Sequence, residues 1–324
     1  MSRVLANNGW TIGLAALLAL LLFATKLVQA DFGISGLDSL ARAALPFALA
    51  AAGMAIVVIA GGIDLSIASM MAVASVTAAI LMAGASDGQT VLVVLIVLAL
   101  GLTMGAINGA LIVITRVPDI VVTLAMLFVW QGVALLILNA PGGGAAPWLR
   151  SLIVGGLTLP GIPEALTAWV PKACLFLIVC VAVIWFPIQR SKLGLMFYAI
   201  GSDSLAAFRS GLPVGGVRIA AYAVAGLFAA LGGLAVTMST GIGEPIPGPY
   251  LLASVAAVVL GGVVLGGGRG GLLGPILAVF VLRLVRLDLT LLAVDPNVTT
   301  IVEGVIMVVV VMVGAVLMAR GRTQ

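Results

Sequence analysis

Ten runs of apolar residues, each bounded by charge, Gly or Pro, carry most of the chain: 11–30, 41–60, 66–84, 91–115, 120–139, 171–188, 217–240, 251–266, 272–287 and 298–318. A helix needs ~20 apolar residues to cross the hydrocarbon core, so the pattern predicts about ten transmembrane helices. The run 251–266 is shorter than a full crossing. The connections between runs are short, which predicts an all-α integral membrane protein with one membrane domain over 1–324. An even number of spans puts both termini on one side of the bilayer.

The interruptions of the pattern are as informative as the runs. In "IAGGIDLSIASMM", residues 59–71, Asp64 sits inside a hydrophobic stretch, where a charge at the bilayer centre costs from ~3 to ~17 kcal/mol. Gly61 and Gly62 loosen the helix just before it, and Ser66 and Ser69 follow at helical spacing. The stretch reads as a helix break followed by a new helix start, with Asp64 and Ser66 accepting bonds from free N–H groups as caps do. The functional alternative is contact with a passing polar solute by Asp64, Ser66 and Ser69. Asn108, Thr123 and Gln131 are further polar positions suited to weak contacts along such a path.

The stretch "VIAGGIDL" at 58–65 can be laid over "VVLGGVVL" at 258–265 with a shift of 200, pairing Gly61 and Gly62 with Gly261 and Gly262. Internal repeats and broken helices recur in transporters. Six steps separate the second span from the eighth, so the two echoes share one orientation, whereas an inverted repeat requires an odd step. Segment 140–170, with "PGGGAAP" and "LPGIPEA", cannot be irregular backbone facing lipid and is expected to be an external loop. Segment 201–213 has its own pattern. Ser202 and Asp203 can cap a helix start, Leu205, Phe208 and Leu212 fall on one face, and Gly211 with Pro213 ends it. It is a short amphipathic helix between two spans, suited to lipid headgroups or to a partner.

Composition agrees with the pattern: 63% of residues are hydrophobic and 8% charged, against ~25% charged in soluble domains. Forty-one glycines favour close helix approach. The net charge of +4 is first a topology signal, since Lys and Arg collect in cytoplasmic loops. With the N-terminus inside, Arg3, Arg116, Arg190, Lys192, Arg209, Arg218, Arg269, Arg320 and Arg322 are cytoplasmic, out of 15 basic residues. Asp31, Asp38, Asp87, Glu164, Glu244, Asp288 and Asp295 then fall outside. The apolar run after Arg3 reads as a first transmembrane helix rather than a cleaved leader. Cys174 and Cys180 lie ~240° apart around a helix and cannot pair.

Several chemistries are excluded. The chain has no histidine, which removes Ser-His-Asp catalysis and histidine-based metal sites; no metal or cofactor is expected. The glycine cluster 266–271 lacks the Gly-Lys-Ser/Thr of a phosphate-binding loop and reads as a tight turn or a second broken helix. Glu303, in the last apolar run, is a second intramembrane acid whose partner is Arg283, Arg286 or a wet cavity.

"GGIDLS" followed by a small-residue helix resembles the signature of the ribose-type permeases, the membrane subunits of bacterial ATP-binding-cassette importers for simple sugars. Their common form is GGIDLSVGS, and Ile67-Ala68 replaces Val-Gly here. The likeness continues through Gly105-Ala106-Ile107-Asn108-Gly109, Arg116-Val117-Pro118, Val122-Thr123-Leu124 and "GLMFYAIGSDSLAAFRSGLP" at 194–213, in consistent order from about residue 40 to 275. It implies a fold like that of the vitamin B12 importer, with about ten spans and a pseudo-repeat, in the bacterial inner membrane. It also implies that residues 203–212 are the coupling helix docking into a cytoplasmic ATPase subunit. Leu205 and Phe208 would then be the apolar anchors, Asp203 and Arg209 would set the register, and Ser202 and Gly211 would bound the segment. The implied partners are the ATPases, a second permease copy or paralogue, a periplasmic binding protein and the bilayer, with no nucleic acid. The permease would not itself hydrolyse ATP. Two alternatives stand beside this: an ion-coupled secondary transporter using Asp64 or Glu303, and a branched-chain amino acid permease of similar architecture.

Overall fold

The computed structural model describes residues 2–157 and 167–321. Glu164, the Pro-Gly pair at 160–161 and Arg322 lie outside the described residues, as do the side chains of Arg3 and Arg320. The helices are α1 (Ser2–Val28), α2 (Ile34–Ile59), α3 (Ile67–Met82), α4 (Asp87–Thr115), α5 (Asp119–Ile137), α6 (Pro147–Ser151), α7 (Lys172–Arg190), α8 (Lys192–Ser202), α9 (Ser204–Arg209), α10 (Val214–Thr240), α11 (Tyr250–Leu260), α12 (Leu273–Leu291) and α13 (Pro296–Gly321). No β-strand occurs among the described residues, only two isolated bridges, Gly142 with Gly243 and Gly156 with Pro171.

Each of the ten apolar runs holds one helix. Six of these, α1, α2, α4, α5, α7 and α10, are long and apolar enough to cross a membrane. The protein is therefore an all-helical, multi-pass membrane protein. The other four differ for definite reasons. Helix α3 has 16 residues and α11 has 11, about 24 and 16 Å at 1.5 Å per residue, short of a straight crossing. Helix α12 carries Arg283, Arg286 and Asp288. The side chains late in α13 are not described. The predicted run 251–266 ends early, at Leu260, because Gly261 and Gly262 stop the helix and the chain turns back through residues 261–272.

Helices α2, α3 and α10 form the centre, with α4, α5, α7, α11 and α12 around them. In the apolar window of α2, 89% of residues are buried within the chain, against 11% for α1, which packs on α12. Between helices in lipid there is little hydrophobic driving force, so close packing and interhelical hydrogen bonds hold the bundle. Both are visible at α10. Gly101, Gly105 and Gly109, four apart along α4, meet Ala230, Gly226, Tyr222 and Ile219 of α10 so closely that a Cβ at Gly105 would overlap the Tyr222 carbonyl. On the other side, Ser75 of α3 lies 2.9 Å from the Thr237 hydroxyl. Cys174 and Cys180 are both free thiols on α7.

The described parts of segment 140–170 are tied down at one end of the bundle. Gly144 N–H donates to Ala79 O at the end of α3, Gly142 and Gly243 exchange backbone bonds, and Arg150 donates to Met238 O. Asp38, paired with Arg42 at 2.9 Å, accepts the Gly155 N–H.

Candidate functional site

The break at Asp64 is built from backbone first. Helix α2 ends with Gly61 at φ 81°, its N–H donating to Val58 O, while Gly62 N–H donates to Val57 O. This is the glycine-terminated Schellman arrangement. Only Gly61 needs the left-handed backbone. Gly62 is held by space, since a Cβ there would stand 2.6 Å from Asp119 Oδ2 and 2.7 Å from the Tyr222 hydroxyl.

Asp64 then starts the next helix. It is 0% exposed, and its Oδ1 accepts the Ser66 N–H at 2.8 Å and the Ser66 hydroxyl at 2.6 Å. Ser66 occupies the N-cap position of α3, but its side chain accepts from no helix N–H. It is engaged instead by Asp64 and by Asn108 Nδ2, which donates at 2.7 Å. The cap expected of Ser66 is thus corrected, and Asp64 alone takes that part. Trp130 Nε1 donates to Asn108 Oδ1 at 3.2 Å, so α3, α4 and α5 are joined by a run of side-chain bonds ending on one carboxylate oxygen. The other oxygen, Asp64 Oδ2, has no hydrogen-bond partner among the described residues.

The remaining polar positions divide. Ser69 donates to Ser66 O at 2.8 Å, and Thr123 donates to Asp119 O at 2.8 Å, with Ile63 O at 3.3 Å. Ser66, Ser69, Asn108 and Thr123 are fully buried, like Asp64. Gln131, two turns beyond Thr123, is half-buried and not bonded to this group.

Beside the group lies an ion pair that the sequence reading did not single out. Asp119, in the first turn of α5, accepts from Arg218 of α10 at 3.1 Å and from the Tyr222 hydroxyl at 2.8 Å. The same hydroxyl lies 3.2 Å from Ile63 O. The available signal was Asp119 itself, one residue past the Arg-Val-Pro turn, at a helix N-terminus that favours acids.

The amphipathic segment 201–213 is divided. Ser202 is the last residue of α8 and does not cap; Asp203 does, accepting the Leu205 and Ala206 N–H groups at 2.9 Å. Helix α9 leaves Leu205 56% and Phe208 68% exposed, with Arg209 also exposed. Gly211 at φ 83° ends it, with Gly211 N–H bonded to Phe208 O and Leu212 N–H to Ala207 O. Leu212, expected on the same face as Leu205 and Phe208, is turned by that ending to pack against the core.

Behind α9, three chain segments meet through glycine. Gly268 N–H donates to Ile59 O at 2.9 Å. A Cβ on Gly201 would overlap that same Ile59 carbonyl, and one on Gly267 would lie 2.6 Å from Gly201 O and 2.9 Å from Gly61 Cα. Tyr198 donates to Gly270 O at 2.9 Å. A cavity of about 360 Å³ opens beside this junction, lined in part by Ala60, Asp203, Ser204, Arg218 and Gly266.

The echo is present in structure with its register moved by one. Gly262, at φ 79°, donates to Val259 O, and Val263 donates to Val258 O. The pattern of 60–62 is reproduced at 261–263, a shift of 201. Gly262 thus matches Gly61, and Gly261 matches Ala60. No acid follows, and Trp10 lies against Gly262, donating to Leu260 O at 2.6 Å. Glu303 is paired with Arg286 at 3.2 Å; Arg283 instead sits 4.5 Å over the Phe47 ring.

A family model described as "Branched-chain amino acid transport system / permease component" matches residues 36–311. The chain belongs to this permease family. The permease is 30% identical over 304 residues to the ribose import permease protein RbsC of Escherichia coli K12, covering 93% of this chain and 92% of that one. It is 30% identical over 303 residues to a probable ABC transporter permease protein, y4mJ, of Sinorhizobium fredii, covering 92% and 86%. To the autoinducer 2 import system permease protein LsrD of E. coli K12 it is 27% identical over 332 residues, covering 98% and 95%. No solved structure matches it.

Proposed function

We propose that this permease is the membrane subunit of an ATP-binding-cassette importer that moves a sugar or sugar-like solute into a bacterial cell. The observation that carries the reading is its similarity along nearly the whole chain to a ribose import permease. The autoinducer 2 relative supports the same solute class over branched-chain amino acids. In this reading the ten apolar helices all lie in the inner membrane in a vitamin B12 importer-like fold, as a single domain. Both termini and α9 face the cytoplasm, and Arg116, Arg190, Lys192, Arg209, Arg218 and Arg269 gather at that end.

Helix α9 docks on an ATPase subunit through Leu205 and Phe208, with Asp203 and Arg209 fixing register. A second permease completes the path, and a periplasmic binding protein delivers the solute. Asp64, Ser66, Ser69, Asn108 and Thr123 hold the break in α2–α3 rather than bind solute, because all five are enclosed and all but one carboxylate oxygen is engaged. Gln131 is left as a weak contact. Hydrolysis belongs to the ATPase, and this chain works by alternating access.

The test is purification of the tagged chain from its native membrane in mild detergent, with ATPase activity assayed on the same sample. A stoichiometric ATPase subunit is the expected result. A chain isolated alone that still transports on an ion gradient after reconstitution overturns the reading.

A further inference from the structure

We propose that Gly61, Gly201, Gly267 and Gly268 are positioning residues of one rigid joint, which carries displacement of α9 directly to the Asp64 break and to the loop after α11. The proposal rests on the reading of α9 as the ATPase-docking helix and adds what receives its motion.

Helix α8 ends at Ser202 and α9 begins at Ser204, so only Asp203 separates the two helices and a push on α9 reaches Gly201, three residues before Ser204, through a short connection. Gly201 touches the end of α2 on one side and Gly268 N on the other, with no room for a methyl group toward Ile59 O. Gly267 closes the triangle against Gly61 and Gly201, and the Gly268–Ile59 hydrogen bond pins it. Backbones in contact cannot absorb a displacement by rotamer change, as packed side chains do. Three residues beyond Gly61 stands Asp64, bonded through Ser66 and Asn108 to α4 and α5. Two structural echoes, the turns at 60–62 and 261–263, thus flank the same joint. Four backbone surfaces held without side chains act as one body, and such bodies transmit motion by rotation rather than by deformation.

Two variants and one control test it. Gly61→Ala and Gly267→Ala place a methyl inside the joint. Gly84→Ala meets the same left-handed backbone, φ 74°, with nothing within 4 Å, so it carries the strain without the contact. In the assembled, reconstituted transporter, all three are expected to retain the ATPase subunit and its hydrolysis. Solute moved per ATP should fall about tenfold or more for the two joint variants and not for Gly84→Ala. An unchanged ratio at the joint, or an equal fall at Gly84, overturns the proposal.

A second measurement leaves the glycines intact. Ser204→Cys with Gly266→Cys, in a chain also carrying Cys174→Ala and Cys180→Ala, puts two thiols on the wall of the same cavity. A short flexible bis-maleimide should join them without stopping transport, because the two segments move together. Transport lost on cross-linking, or no cross-link formed, overturns the joint even where the alanine variants fail to reach the membrane. An ATPase missing from the wild-type preparation removes the importer reading itself, a separate result.

Discussion

Asp64 shows how one residue can be legible in kind and illegible in detail. A carboxylate after Gly-Gly in an apolar run had to be shielded, and the cap reading followed from that need alone. Which groups shield it depends on Asn108 of α4 and Trp130 of α5, 44 and 66 residues away in sequence. Ser66 and Asp64 were equally plausible caps on spacing; Asn108 decides between them by occupying the serine hydroxyl. Asp64→Asn keeps the oxygen that accepts from Ser66 and is expected to insert and melt close to wild type. Asp64→Leu removes both bonds and strands the Ser66 donors, which costs about 2–3 kcal/mol. Membrane level and melting midpoint in detergent read both, and an Asn variant that inserts normally yet abolishes transport would count against the structural role. Glu303 illustrates the same limit: two arginines three residues apart were equal candidates, and only the facing of α12 on α13 selects Arg286.

At the level of elements, the apolar runs located ten helices because length and periodicity are local properties. Helix ends were less legible. The division of 192–209 into α8 and α9 turns on Asp203, which leaves the helical backbone after Ser202 and whose carboxylate accepts the Leu205 and Ala206 N–H groups that open α9. Its exposed pair supports a direct prediction. With α9 docked on an ATPase as proposed, Phe208→Asp would bury an unpaired charge at that contact, so the ATPase should no longer co-purify while membrane level is unchanged; retention of the subunit at wild-type ratio would remove Phe208 from the proposed interface. The glycine stripe of α4 gives a second. Gly105→Ala forces α4 off the Tyr222 carbonyl and should lower stability by about 1–3 kcal/mol. Gly132→Ala, in a helix with open space around it, should raise stability by up to about 1 kcal/mol. Equal melting shifts in detergent for the two would show that helix propensity, not close approach, is what those glycines serve.

For the molecule as a whole, side chains and turns separate into two ends. One gathers Gly61, Asp119, α8, α9 and the loop 261–272; the other gathers Ser86, Gly142, Gly243 and Arg150. With the α9 end cytoplasmic, a cysteine at Ser86 should react with a membrane-impermeant maleimide in intact spheroplasts, and one at Ser204 only after permeabilisation. The reverse pattern would invert the topology. The sequence by itself determined the solvent, the helical class, the number of apolar elements and the family motifs, because each is set by composition or by neighbours within a few residues. The tertiary structure alone decided that Gly61, Gly201 and Gly267 touch, that Asp119 pairs with Arg218, and that the echo runs at 201 rather than 200. Those facts depend on where distant backbones come to rest, and glycine, having no side chain, leaves no pattern in sequence that says which other glycine it will meet.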